Sequence, residues 1–140
     1  MLLEEYSSAE KKYIKALNYS PNNTSILISL YEASLYQGKI NSAEKYIYKA
    51  YILNKQDLDI LKKYYKILLV QNDNVRALKI LNKAIEISKD DLNLYYDKVK
   101  ILFEINNWNE LIQVYSKIYS MNKDDNLLDQ MHDISIATDN

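Results

Sequence analysis

Apolar residues recur along this chain at intervals of three and four rather than two, and the pattern is interrupted at regular distances. From Thr24, the run Leu27, Leu30, Ser34 and Leu35 marks one face of a helix ending near Gln37. Ala43, Ile47, Ala50 and Tyr51 mark a second helix from Ile40 to about Asn54. The same pair of helices is then written again, because the chain has a period of 34 residues: Asn23, Asp57, Asp91 and Asp125 stand in succession, as do Lys15, Lys49, Lys83 and Lys117, and Ala16, Ala50 and Ala84. A fixed period of this size means one helical unit copied along the chain, each copy burying its apolar side against its neighbours. Complete copies span 24–57, 58–91 and 92–125. A half copy at 1–23 precedes them and a half copy or capping helix at 126–140 follows, all in a single domain covering 1–140.

The pattern predicts an all-α fold of about eight helices, near Leu2–Tyr19, Thr24–Gln37, Ile40–Asn54, Leu58–Gln71, Asn74–Ser88, Leu92–Ile105, Trp108–Met121 and Asn126–Ala137. Between the two helices of each copy lies Gly38, Asn72 or Asn106, residue types that tolerate the left-handed backbone with which helices commonly end. Asn23, Asp57, Asp91 and Asp125 precede the first helix of the next copy and are suited to N-capping it, with Asp90 and Asp124 adding charge beside the positive end of the helix dipole. These paired carboxylates recur with the period and have no converging His, Cys or third carboxylate, so they read as capping chemistry rather than as an acid/base or cation site.

The spacing Ala43, Ile47, Ala50 and its copy Ala77, Leu81, Ala84, with the partial match Ala9, Tyr13, Ala16 and Pro21, resembles the tetratricopeptide repeat (TPR), and does so over essentially the whole chain. There are departures from that family's pattern. Tyr31, Tyr65 and Val99 stand where a small residue is usual. Leu111 and Ile118 replace alanines in the third copy and Lys98 replaces an apolar residue, so that copy is expected to pack more loosely or at a different angle.

The resemblance implies a right-handed superhelical solenoid of antiparallel helix pairs whose concave groove, lined by the first helix of each copy, takes a peptide or protein segment. Carried over one residue at a time, the implied groove residues are Ile28, Glu32, Leu35 and Tyr36, then Lys62, Lys66 and Leu69, then Tyr96, Lys100 and Phe103. Aromatic side chains can anchor a partner, and the lysines would attract an acidic one. The carboxylate clamp with which some members hold chaperone tails is not matched, because its positions here carry Ile28, Glu32, Lys63, Lys100 and Glu104, of which only Lys100 fits.

Composition narrows the function classes. With 48% apolar and 26% charged residues the chain can bury a core, and one Gly and one Pro leave little to interrupt helices. A net charge of −1 argues against a nucleic-acid partner held by bulk electrostatics. There is no Cys, no Gly-rich phosphate loop and no apolar run of membrane-spanning length, and the one His, His132, has no nucleophile or metal-ligand spacing around it. We therefore expect no enzyme, no cofactor, no bound metal and no direct membrane insertion; a cytoplasmic setting fits, and a periplasmic one stays open. The expected role is a protein-interaction scaffold, part of a larger protein or assembly, with a partner that is acidic, apolar or both.

Alternatives are a regulatory or tethering domain for an enzyme outside these residues, and a homo-oligomer formed through the N-terminal end. That end begins with the second half of a copy, which should leave Leu2, Leu3 and Tyr6 without their usual cover. The last segment should instead cap the array, turning Leu127, Leu128, Met131 and Ile134 inward and Asp129, Gln130, Asp133 and Asp139 to water.

Overall fold

The computed structural model describes residues 2–139, which form eight α-helices and no strand: α1 (Leu2–Tyr19), α2 (Thr24–Tyr36), α3 (Ile40–Leu53), α4 (Leu58–Val70), α5 (Asn74–Ile87), α6 (Leu92–Glu104), α7 (Trp108–Asn122) and α8 (Asn126–Thr138). Every helix begins where the periodicity predicts. At Gln37, Asn54, Gln71 and Ile105 the residue expected to be last is instead the C-cap, half in and half out of the helix.

The turn between the helices of a copy is built three times from the same bonds. Gly38, Asn72 and Asn106 have positive φ, and the amide of the next residue reaches back to close the helix: Lys39 N–H to Ser34, Asp73 N–H to Leu68 and Asn107 N–H to Leu102, each at 2.9 Å. The 5→2 bonds from Gly38, Asn72 and Asn106 complete this Schellman closure. A Cβ added at Gly38 would meet nothing within 4 Å, so the cost of a substitution there lies in the backbone alone. Gly38→Ala is expected to lose about 1–2 kcal/mol of stability in urea unfolding, and Gly38→Asn much less, since Asn already serves at the two equivalent turns.

The caps behave as expected at three of four junctions. The side chains of Asn23, Asp57 and Asp91 accept from the amides of Ile26, Ile60 and Asn93, each at 3.1 Å. Asp125 makes no such bond. Lys123 turns left-handed at the end of α7, and Asp124, one residue earlier than predicted, accepts from the Asn126 amide at 3.1 Å.

By contact density the chain divides into two compact units, residues 1–83 and 84–140, with the division falling inside α5. In the first unit α1 packs on α2, α2 on α3 and α3 on α4. Helices joined by turns this short run antiparallel. Leu27, Leu30, Ala43, Ile47, Ala50, Leu61, Leu68, Ala77 and Leu81 have no exposed surface. Tyr31 is buried where a small residue is usual, and its hydroxyl spends itself on the Lys63 carbonyl of α4, 3.5 Å away. In the second unit α6 packs on α7 and α7 on α8. α6 and α7 of the third copy meet over fewer residues than α2 and α3 do, although Leu111 and Ile118 have no exposed surface and Lys98 is neutralised by Glu110 at 2.7 Å.

Two expectations about the ends need correction. Tyr6 is not left uncovered, because its ring stacks on Tyr36 with centroids 4.6 Å apart and planes 11° from parallel; Leu2 and Leu3 are exposed as predicted. In α8, Leu127 is buried and Met131 and Ile134 are half-buried. Leu128 is 44% exposed, because a helix packed on one neighbour can turn only one stripe inward.

A polar tie between copies was also spelled in the sequence and went unread. Glu10 of α1 accepts from Lys39 at 2.7 Å and from Gln37 at 2.9 Å, while Glu44, one period later, accepts from Arg76 at 2.9 Å and Gln71 at 3.1 Å. The Lys39 bond, with Gln37 assisting, holds the Glu10 carboxyl below its ordinary range. A carboxylate whose folded pKa is depressed stabilises the fold fully above its unfolded pKa, and the contribution is lost as pH falls through the folded value. Glu10→Gln should therefore cost about 1 kcal/mol at pH 7, and the gap from the parent should close on acidification, as thermal unfolding at several pH values would record.

Candidate functional site

The residues expected to meet a partner lie on the first helices, and most keep some exposed surface. On α2, Tyr36 is 63% exposed with its far face against Tyr6, Glu32 is exposed, and Ile28 and Leu35 are half-buried. On α4, Lys66 is exposed and Lys62 and Leu69 are half-buried. The neighbouring Lys63 faces both Asp59, at 2.9 Å, and Glu32 of α2, at 3.9 Å. Within the first unit the structure thus brings α2 and α4 side by side with acidic and basic groups interleaved.

In the second unit, Tyr96, Lys100 and Phe103 follow one another along α6 at helical spacing. Phe103 is 56% exposed and rests edge-on against Trp108, with ring centroids 5.3 Å apart. Trp108 is half-buried and backs this exposed ring. Tyr96 is 37% exposed and its hydroxyl accepts from the Asn122 amide at 3.2 Å. Lys100 leans toward Asp97 at 3.4 Å.

Another surface escaped the sequence reading. Leu17 of α1 and Lys45, Tyr46, Tyr48, Lys49 and Ile52 of α3 line an open cleft of about 610 Å³ on the second-helix side of the first unit. A smaller one of about 200 Å³ follows between Tyr48, Tyr51, Tyr64, Arg76, Lys79, Ile80 and Lys83. There the Lys83 ammonium lies 5.2 Å from the centre of the Tyr51 ring and 2.6 Å from its hydroxyl. The signal was present: Tyr48 and Ile52, four apart, fall off the buried stripe Ala43, Ile47, Ala50 of the same helix.

The net −1 conceals a segregation, with 13 Lys or Arg against 8 Asp or Glu over residues 1–83, and 5 against 11 over 84–140. Among the described residues no group of three or more His, Cys, Asp or Glu is placed to hold a metal ion, no helix is long and apolar enough to cross a membrane, and His132 is exposed on α8.

Antiparallel helix pairs recurring every 34 residues, closed by a left-handed turn and packed through an alanine seam, define a helical-repeat protein with the tetratricopeptide-repeat fold. Solved structures agree. The chain aligns with the crystal structure of MamA over 86% of its own length and 70% of that chain, with TM-score 0.74 at 20% identity. It aligns with YrrB, a TPR protein with an unusual peptide-binding site, over 86% and 62%, with TM-score 0.74 at 16% identity. With a tetratricopeptide repeat protein from Parabacteroides merdae the figures are 94% and 52%, with TM-score 0.78 at 19% identity. The chain thus spans between about half and 70% of those proteins' lengths. No protein-family model matches its sequence, and no curated protein does.

Proposed function

We propose that this chain is a protein-interaction module whose first-helix faces bind a peptide or protein segment carrying acidic and apolar residues. The observation that carries this reading is the exposure of large side chains the core does not use: Tyr36 on α2, and Tyr96 and Phe103 on α6. Exposed aromatics at helical spacing supply contact area with few torsions to freeze. A structural neighbour, YrrB, is itself a TPR protein with a peptide-binding site, which makes the same use of the fold a reasonable starting point.

The charge distribution refines the partner. Lys62 and Lys66 belong to the basic unit, whereas Lys100 sits in the acidic one beside Asp97, so α4 is where acidic residues of a partner would be drawn. The test is affinity capture with the parent chain and with Lys62→Glu/Lys66→Glu, read by mass spectrometry and followed by binding kinetics on the captured protein. Association slowed by the charge reversal, with weaker dependence on salt, supports the reading. A partner that holds parent and variant equally would move the site away from α4.

A further inference from the structure

The lysines that mark the 34-residue period stand in pairs, and a partner on the first helices would not use them. Lys11 and Lys15 on α1, Lys45 and Lys49 on α3, and Lys79 and Lys83 on α5 each lie one turn apart, at the same places of three successive second helices. The next copy has Gln113 with Lys117, so the pairs end with the first unit. All are exposed except Lys83, which is half-buried, and among the described residues none is paired with a carboxylate. The carboxylates of that unit are committed elsewhere: Glu10 to Lys39, Glu44 and Asp73 to Arg76, Glu32 and Asp59 to Lys63, and Asp57 to the cap of α4. Glu4 and Glu5 stand in the first turn of α1, and Glu86 follows Lys83 by three residues in the other unit.

Beside these cations the surface is indented and partly apolar. The cleft of about 610 Å³ sets Lys45 and Lys49 next to Leu17, Tyr48 and Ile52, and the one of about 200 Å³ shares Tyr48 and takes in Lys79 and Lys83. Tyr48 and Ile52 are about half exposed, surface that the core leaves unused. In the second cleft Lys83 is held in place before any partner arrives: its ammonium donates to the Tyr51 hydroxyl at 2.6 Å and lies 5.2 Å from the centre of that ring, so it has less freedom to lose on binding. Arg76 is different, since Asp73 and Glu44 already neutralise it.

Paired cations next to apolar hollows, repeated from helix to helix, fit a chain in which acidic and apolar side chains alternate. Helices that share a cleft lie on the order of 10 Å apart, which about three residues of extended chain span. Two acidic residues and one aliphatic residue per step would match that repeat. Nucleic acid fits less well, because stacking bases need open ring faces, whereas Tyr51 is buried beside Lys83 and Tyr46 is half-buried. We infer that the second-helix face of the first unit is a separate docking surface for an extended acidic protein segment. An aliphatic side chain of that segment enters the cleft of Leu17, Tyr48 and Ile52, while its carboxylates meet Lys45 and Lys49 and then Lys79 and Lys83. This surface uses the other helix of each pair and is independent of what the first-helix faces bind.

The test is fluorescence anisotropy of a labelled peptide of repeated Glu-Glu-Leu, titrated with the 140-residue chain up to millimolar concentration. Saturable binding that weakens as salt is added is expected. Lys45→Glu/Lys49→Glu should weaken it roughly tenfold or more, and Lys45→Gln/Lys49→Gln by a smaller factor. A Glu-Glu-Ser peptide, which lacks the aliphatic anchor, should bind the parent roughly fivefold less tightly. Lys62→Glu/Lys66→Glu, on the first-helix face, should change binding by no more than about twofold. Lys45 and Lys49 are exposed, so circular dichroism should show an unchanged helix content. The absence of saturable binding overturns the inference. Binding lost in the α4 variant and kept in the α3 variants also overturns it, and assigns the peptide to the first-helix faces. Single-stranded poly(dT) or phosphatidylserine vesicles held through Lys45 and Lys49 more tightly than the peptide would overturn it in favour of that occupant, as would self-association of the parent that Lys45→Glu/Lys49→Glu abolishes.

Discussion

Ile47→Ala should destabilise the protein by about 2–5 kcal/mol, while Tyr13→Ala, at the same position of the preceding half copy, should cost under about 1 kcal/mol in dilute solution. The two residues occupy one register position 34 residues apart, on helices of the same pattern. They differ in their surroundings. Ile47 has no exposed surface and sits between Ala43 and Ala50, themselves fully covered, so truncation removes apolar contact and leaves a cavity the neighbouring helices cannot collapse into. Tyr13 is 36% exposed and lines an open cleft, so water fills what truncation removes. Urea midpoints, with the slope of the transition unchanged, would measure both. Equal losses would mean that repeat position and not burial sets the cost.

Phe103→Ala should hasten dissociation of a bound partner by roughly fivefold to 150-fold, about 1–3 kcal/mol, with little change in association rate. Among the aromatic candidates on α6 it is the most exposed, and it is already held edge-on by Trp108, so little freedom remains to be lost on binding. Tyr96 is a less clean probe, since its removal also releases the Asn122 amide it accepts from. For Tyr96 the informative pair is Tyr96→Phe, which keeps the ring, and Tyr96→Ala, which does not. Surface plasmon resonance on an identified partner separates the rates; a dissociation rate unchanged by Phe103→Ala would remove this ring from the interface.

The outcomes at particular residues show where sequence reasoning reaches. Helix starts, the three left-handed turns and three of the four caps were legible because each depends on residues within five positions of one another: Gly38 with Ser34 and Leu35, or Asp57 with the amide of Ile60. The cap that moved, from Asp125 to Asp124, did so where Lys123 took a left-handed conformation that no Gly or Asn announced.

The period of 34 residues, read as a string, determined that the chain is all-helical, how many helices it has and which residues of each are able to face a core. Only the tertiary structure decided which of them do. Ala9 and Tyr13 have the pattern of Ala43 and Ile47 and keep more exposed surface, Leu128 was expected inward and lies outward, and Leu111 and Ile118 fill fully a space the repeat elsewhere gives to alanine. Burial is a property of two surfaces meeting, and a periodic sequence specifies one surface at a time. The ties from Glu10 to Gln37 and from Glu44 to Gln71 make the same point, for each joins residues 27 positions apart that become neighbours only when successive helices stack.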